Sequence, residues 1–165
     1  KQLEGKMGEL LQFGEENDVL GAKMHRLAIG MIAARSFQSV LHTLNLHLRD
    51  DFAVPHVAVR LWRRPEGREE LPEFAEVGGE LQAFAETLGQ PFCGSTSGFD
   101  TSSWFGEAAT HVRSQGLIAM RDGGATLGMI ALGSEDPERF YSGMGTIYLE
   151  RLGEMAAAAL ARVLG

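Results

Sequence analysis

The chain has 165 residues, of which 44% are hydrophobic, and a formal net charge of −7. This size and composition are typical of one globular domain with some additional helix, and the acidic balance argues against direct binding to a nucleic-acid backbone. No stretch is apolar for long enough to span a membrane, and a single cysteine excludes an intrachain disulfide, so we expect a cytoplasmic protein. Because the first residue is Lys1, we also expect the sequence to begin inside a longer protein.

Residues 1–35 predict one long helix, since apolar side chains recur at steps of three and four. A narrow apolar stripe on one helix needs a partner, and the simplest partner is the same helix of a second copy, so we expect a coiled-coil-like homodimer. The alternative is two helices divided near residues 14–18. The residues assigned to the dimer contact are Leu3, Met7, Leu10, Phe13, Asn17, Leu20, Met24 and Leu27.

Residues 36–88 predict a helix, a strand and a second, shorter helix. Ser36 is a suitable N-cap for the first helix. Residues 56–62 alternate as a strand, with Val57, Val59 and Leu61 on one face and Ala58, Arg60 and Trp62 on the other. Residues 71–77 fit a second strand or an irregular segment, and residues 80–88 have helical spacing.

Residues 90–113 form the least regular part of the sequence. We expect a short strand near Phe92, a loop of small residues over 94–103, and a short helix capped by Ser102 or Ser103. Long irregular segments within a compact domain often carry function.

Residues 114–165 predict a β-hairpin followed by a closing helix. The turn is Asp122-Gly123-Gly124, and both strands are apolar at nearly every position, which indicates a strand pair covered on both faces. The closing helix is predicted to begin at Pro137 with Asp136 as its N-cap; the alternative is a start only after Gly145. This order of elements predicts an α+β fold with a mostly antiparallel sheet, divided into a helical lead-in (1–35) and a domain (36–165).

Three segments resemble the bacterial DUF484 family of uncharacterised proteins. They are LGSEDPERFYSGMGTIYLERL at 132–152, PFCG at 91–94 followed by Trp104-Phe105, and the lead-in GELLQFGEENDVLGAKMHRLA. The resemblance implies a GAF-like domain behind an N-terminal helix. Such domains are non-enzymatic sensory or regulatory modules that bind small molecules and commonly dimerise through helices. The resemblance supplies no catalytic residues, and the NKFDE signature of cyclic-nucleotide-binding GAF domains does not occur in the chain.

Aromatic residues around the small-residue loop suggest a ligand pocket between that loop and the sheet. The alternative is simple core packing of the same aromatic side chains. No cofactor can be identified. An adaptor that binds a protein partner is the competing function, and a tyrosine recombinase, whose gene often neighbours the family's gene, is one such partner. The candidate ligand-binding residues are Arg60, Trp62, Phe92, Cys93, Gly94, Phe99, Trp104, Phe105 and Arg121.

Three other groups of residues are candidate functional sites. Cys93 is a candidate nucleophile with His56 or His111 as base, but the chain offers no second, resolving thiol, and a small buried residue explains it as well. The five histidines do not have metal-ligand spacing. The arginines around Trp62 suggest an anion or nucleic-acid contact or, more simply, a solvated strand end; they are Arg60, Arg63, Arg64 and Arg68. We therefore expect neither a catalytic site nor a metal site.

Overall fold

The computed structural model describes residues 2–63, 70–95 and 97–164, with side chains from residue 16 onwards. The helices are α1 (Gln2–Ala33), α2 (Phe37–Asp50), α3 (Gly79–Thr87) and α4 (Ile147–Leu164). The strands are β1 (His56–Leu61), β2 (Phe92–Gly94), β3 (Ser114–Asp122) and β4 (Ala125–Ser134). Two segments, Pro72–Phe74 and Ser102–His111, are 3₁₀-helical.

The described strands form one antiparallel sheet in the order β1-β4-β3-β2. The central hairpin pairs Ile118 with Ile130, and β2 joins its edge through Cys93 and Gly116. Its turn places Gly123 and Gly124 at φ values of 60° and 95°, which glycine adopts without steric cost. The predicted hairpin and the predicted α+β fold are both confirmed.

The sheet is covered on both sides by apolar side chains. Ile118, Ile130 and Leu132 face the core formed with α1, α2 and α4; we call this side the α4 face. Leu117, Met129 and Ala131 alternate with them and face α3 and the aromatic loops; we call this side the α3 face. Strand β1 alternates as predicted, because Val59 and Leu61 join the first core whereas Ala58 and Trp62 join the second.

Helix α1 is continuous, so the prediction of one long helix is confirmed and the alternative of two helices divided near residues 14–18 is wrong. At 1.5 Å per residue, its 32 residues span about 48 Å. The C-terminal half packs on the body of its own chain, where Met24 and Leu27 are 9% and 0% exposed. These two residues were assigned to a contact with a second copy; instead α2 and α4 supply the apolar surface that covers them.

The rest of the predicted dimer stripe has no such cover where it is described. Asn17 is exposed and Leu20 is only partly buried. Leu3, Met7, Leu10 and Phe13 lie outside the residues whose side chains are described. Dimerisation through this stripe stays a prediction.

Helix α2 begins where the sequence indicates. The Ser36 side chain accepts a hydrogen bond from the Ser39 backbone N–H at 3.1 Å, and the Ser39 hydroxyl accepts one from the Ser36 N–H at 3.0 Å. This reciprocal cap satisfies two backbone donors that the helix itself leaves unpaired. The buried face of the helix consists of Phe37, Val40, Leu41, Leu44 and Leu48.

Helix α4 begins at Ile147, so the predicted start at Pro137 is wrong and the later start is correct. The Asp136 carboxylate accepts a hydrogen bond from the Glu138 N–H at 2.9 Å, but it closes only a local turn. Phe140 then turns into the core at 1% exposure, and its backbone N–H donates to the Ser114 hydroxyl. Burying this ring against the sheet draws the chain away from the helical path.

Residues 71–77 follow the irregular alternative, whereas the segment after the small-residue loop differs from its predicted cap. Residues 71–77 are irregular, with Phe74 from the first 3₁₀ turn stacked on Phe37 at 5.4 Å between ring centroids. The segment Ser102–His111 is 3₁₀-helical with Thr101 at its N-cap position, so neither Ser102 nor Ser103 caps it. Gly106, at φ 64°, interrupts that segment. None of the helices in the described ranges is both long and apolar enough to cross a membrane.

Candidate functional site: an aromatic cleft on the α3 face

A cleft of about 380 Å³ opens on the α3 face. It lies between the segment that enters α3 and the loop that precedes the second 3₁₀ segment. Its volume falls at the lower end of the range of small-molecule sites, about 300–1,000 Å³. We call it the α3 cleft; it is lined by Glu76, Val77, Gly78, Gly79, Glu80, Leu81, Phe99, Asp100 and Trp104.

The loop on one side of the α3 cleft is anchored to the sheet by a buried hydrogen bond. The Thr101 hydroxyl donates to the Gln115 side-chain oxygen of β3, and both residues are at most 5% exposed. Two residues earlier, the Phe99 ring packs on Phe84 of α3 at 5.1 Å between centroids. These contacts hold Phe99 in place while it remains only partly buried.

The Trp104 ring makes a cation–π contact with Arg60. The Arg60 guanidinium lies 5.1 Å from the ring centroid, and its Nη1 donates to the Val59 carbonyl at 2.9 Å. Burial lowers the pKa of Arg60, while the negative charge of Glu73 acts in the opposite direction. The Glu73 Oε2 atom is buried and has no hydrogen-bond partner among the described residues.

The structure gathers several of the predicted ligand-binding residues on the α3 face, but few of them line the cleft. Phe99 and Trp104 do so, and Arg60 contacts Trp104. The others support the wall or lie beside it. Trp62 donates its indole N–H to the Thr126 carbonyl, and Phe92 packs on Phe84. A Cβ on Gly94 would contact Phe92, and Phe105 lines a neighbouring cavity of about 170 Å³.

Arg121 has a structural role at the end of α3. Its Nη2 atom donates to the carbonyl oxygens of Ala85 and Leu88, both at 2.8 Å. The Ala85 carbonyl also accepts a hydrogen bond from the Leu88 backbone N–H at 3.3 Å, so the guanidinium adds a second donor at the C-terminus of α3. Arg121 lines a different cavity, of about 220 Å³, together with Glu150 and Glu154.

Cys93 lies on the α4 face, away from the α3 cleft. Its side chain is buried, and burial raises the pKa of the thiol, against a smaller opposite effect of Arg139. His56, the predicted base, belongs to the α3 face, where its ring lies 6.0 Å from Phe105 and its Nε2 lies 3.4 Å from Glu135. The geometry therefore favours the interpretation of Cys93 as a small buried core residue.

The arginines near Trp62 do not form a joint anion site in the part of the chain that is described. Arg60 turns towards Trp104, and Arg63 pairs with Asp122 at 3.0 Å on the surface. Arg64 and Arg68 lie outside the described residues. Over the same described ranges, no group of three or more His, Cys, Asp or Glu side chains is placed to bind a metal ion.

Sequence reasoning missed the acidic and glycine residues of the α3 cleft. Glu76, Glu80 and Asp100 come from two segments that meet only in the folded chain. The available signal was the Gly78-Gly79 pair at the start of α3, where no atom lies within 4 Å of an added Cβ on either glycine.

The fold is similar to that of a known sensor domain. The native GAF domain of the potassium sensor histidine kinase KdpD from Escherichia coli matches with a TM-score of 0.52 and 15% sequence identity, over 87% of this chain and 94% of that domain. At this identity the likeness concerns the fold alone, and it confirms the GAF-like architecture. No curated protein matches the chain at a significant level.

The family assignment comes from the sequence as a whole. The model for "Protein of unknown function, DUF484" matches residues 1–164, which is nearly the entire chain and includes the three segments that carry the resemblance. The lead-in helix and the GAF-like domain are therefore parts of one family pattern. The chain belongs to the DUF484 family.

Proposed function

We propose that this chain is a non-enzymatic sensory or regulatory module of the cytoplasm that binds a small molecule in the α3 cleft and acts as a homodimer. The observation that carries the proposal is the α3 cleft itself. Two aromatic side chains, Phe99 and Trp104, line an open space of about 380 Å³ instead of closing on the sheet. A ligand between them would bury apolar surface that the protein leaves open to water.

The wall of the α3 cleft is held by contacts that do not involve a ligand. Thr101 fixes the loop to β3, Phe84 supports Phe99, and Arg60 lies against Trp104. A ligand would therefore meet a largely formed site and would lose less free energy to ordering of side chains.

In addition to the predicted stripe on α1, the proposed dimer contact includes the outer side of α1 and α4. Ile29 and Ile32 of α1 are 54% and 73% exposed, and an apolar groove of about 270 Å³ runs beside them. The same helices of a second copy present the same side chains, so a two-fold contact is self-complementary. The groove is lined by Ala28, Met31, Ile32, Met155, Ala158, Ala159 and Arg162.

The position of Cys93 supports a non-enzymatic role. It is the one thiol of the sequence, it is buried on the sheet face opposite the α3 cleft, and its pKa is raised by burial. A thiol in this setting gives little thiolate at neutral pH and does not contact a ligand in the cleft.

Mass spectrometry of small molecules that co-purify with the native protein tests the proposal. We expect a stoichiometric metabolite with the wild-type chain and its loss in Trp104→Ala. Tyr141→Ala is the matched control, because Tyr141 is 55% exposed and does not line the cleft. A ligand retained by folded Trp104→Ala protein would refute the α3 cleft as its site.

The second candidate is an adaptor that binds a protein partner, such as a tyrosine recombinase, without a ligand. Tyr141 and Ile147, ahead of and at the start of α4, are 55% and 52% exposed and favour a protein contact. A ligand-free protein that captures the recombinase, and loses it on Tyr141→Ala, would support this candidate over the sensory module.

A further inference from the structure

We propose that the α3 cleft selects an organic cation, that is, a protonated amine or quaternary ammonium group attached to an apolar body. This inference rests on the proposed function, since it names the ligand class of the same site. The aromatic wall and the carboxylates at its edge, which pair with no cation among the described residues, carry it together.

Three carboxylates line the α3 cleft: Glu76, Glu80 and Asp100. All three residues are exposed, and none makes an ion pair within the described part of the chain. Among the described lining residues, no lysine or arginine faces them. The field in the cleft therefore opposes an anionic ligand and attracts a cationic one.

Two positive features lie near the cleft, and each already has a negative counterpart. The first is the N-terminus of α3, where the N-cap residue Gly78 has no side chain that could accept a hydrogen bond. Glu80 lies in the first turn of this helix. Carboxylates in that position interact favourably with the helix dipole. The Arg60 guanidinium is bonded to the Val59 carbonyl and opposed by Glu73. Among the described residues, Glu76 and Asp100 remain as the surplus charge.

The apolar lining suits the body of such a ligand. Val77 and Leu81 are buried at 7% and 8% exposure, while Phe99 and Trp104 present partly open rings. An ammonium group above an aromatic face is attracted by the ring quadrupole, by about 0.5–2 kcal/mol depending on how far it is desolvated. A cation with an apolar body would use both the rings and the two surplus carboxylates.

Three probes of nearly equal size and different charge test the inference: 2-phenylethylammonium, 2-phenylethanol and phenylacetate. Isothermal titration calorimetry of the full chain at low salt is expected to show the cation binding most tightly and phenylacetate most weakly. The preference for the cation should shrink at 1 M salt, where exposed charges are screened within about 3 Å.

Charge-removing variants locate the effect. Glu76→Gln and Asp100→Asn should each weaken binding of the cation by about two- to five-fold, the scale of an exposed ion pair, and leave the alcohol unchanged. Glu138→Gln, at an exposed glutamate outside the cleft lining, is the matched control and should change neither.

The outcomes separate the ligand class from the site. Equal binding of the cation and the alcohol, or tightest binding of phenylacetate, overturns the cation inference while the α3 cleft stands as a ligand site. Failure of all three probes to bind also overturns it. If folded Trp104→Ala protein in addition keeps a co-purified metabolite, the proposed site fails as well.

Discussion

The guanidinium of Arg162, in the last turn of α4, donates a hydrogen bond to the carbonyl oxygen of Ala34, directly after the end of α1. Further bonds run to the carbonyls of Met31 at 2.9 Å and Ile32 at 3.1 Å. One side chain thus satisfies the C-terminal carbonyls of the long helix and ties it to the helix that closes the domain. Arg121 does the same for α3, from β3.

Arg162→Met should destabilise the protein by about 1–3 kcal/mol, because charge-assisted hydrogen bonds to three carbonyls are lost. Arg162→Lys should recover only part of this loss, since an ammonium cannot reproduce the planar fork. Urea unfolding measures the difference. Arg35→Met, at an exposed arginine nearby, is the control and should stay within about 0.5 kcal/mol of wild type.

The two-fold contact is tested by Ile32→Glu. We expect a dimer of the wild-type chain in light scattering and a monomer of this variant, because a buried glutamate would lie in the apolar groove of the second copy. Ile147→Glu introduces the same charge at a side chain that is 52% exposed and outside the groove, and should stay dimeric. A wild-type monomer at high concentration would contradict the dimer.

Gly153→Ala should destabilise the protein although alanine favours helix. A Cβ at Gly153 would lie 2.5 Å from the Ile118 Cγ2 atom, where α4 crosses β3. The overlap is expected to cost about 1–3 kcal/mol, which exceeds the helix-propensity gain of about 1 kcal/mol. Gly21→Ala on α1 has open space around the new methyl group and should stabilise the protein. Thermal unfolding of both variants decides the sign.

Thr101→Val should loosen the aromatic loop. It leaves the Gln115 side-chain oxygen buried without its donor, at a cost of about 1–3 kcal/mol, and releases the segment that carries Phe99. We expect both a lower unfolding temperature and weaker retention of any ligand in the α3 cleft. Thr110→Val, at an exposed threonine, serves as the comparison. Unchanged stability would show that the buried bond contributes little.

Cys93 gives the protein a stability that depends on pH. Burial raises the pKa of the thiol above its usual range, so the unfolded chain releases this proton at a lower pH than the folded chain. Below the pKa that the Cys93 thiol has in the unfolded chain, its contribution to stability does not depend on pH. The contribution falls as the pH rises from that pKa through the higher pKa of the folded chain. In urea unfolding between pH 7 and 10, wild type should lose more stability than Cys93→Ala. Parallel pH profiles would contradict this.

Local chemistry explains the features that could be predicted correctly from the residues. Glycines 123 and 124 supply the positive φ values of the hairpin turn, and Ser36 caps α2 with its own side chain. Alternation along β1 assigned its residues to the correct faces, because the side-chain period of a strand is a property of the backbone alone. The α+β class followed from the order of such elements, whereas the family resemblance came from the three matching segments.

Long-range packing, in contrast, selects which surfaces cover one another. The stripe through Met24 and Leu27 is apolar whether its partner is a second copy or α2 and α4 of the same chain. Phe140 is buried in the core, and α4 begins only at Ile147 although Asp136 is a suitable N-cap. The α3 cleft joins Glu76 to Asp100 across 24 positions of sequence. Such choices depend on summed long-range packing, in which many weak contacts compete, and no short stretch of sequence contains both partners.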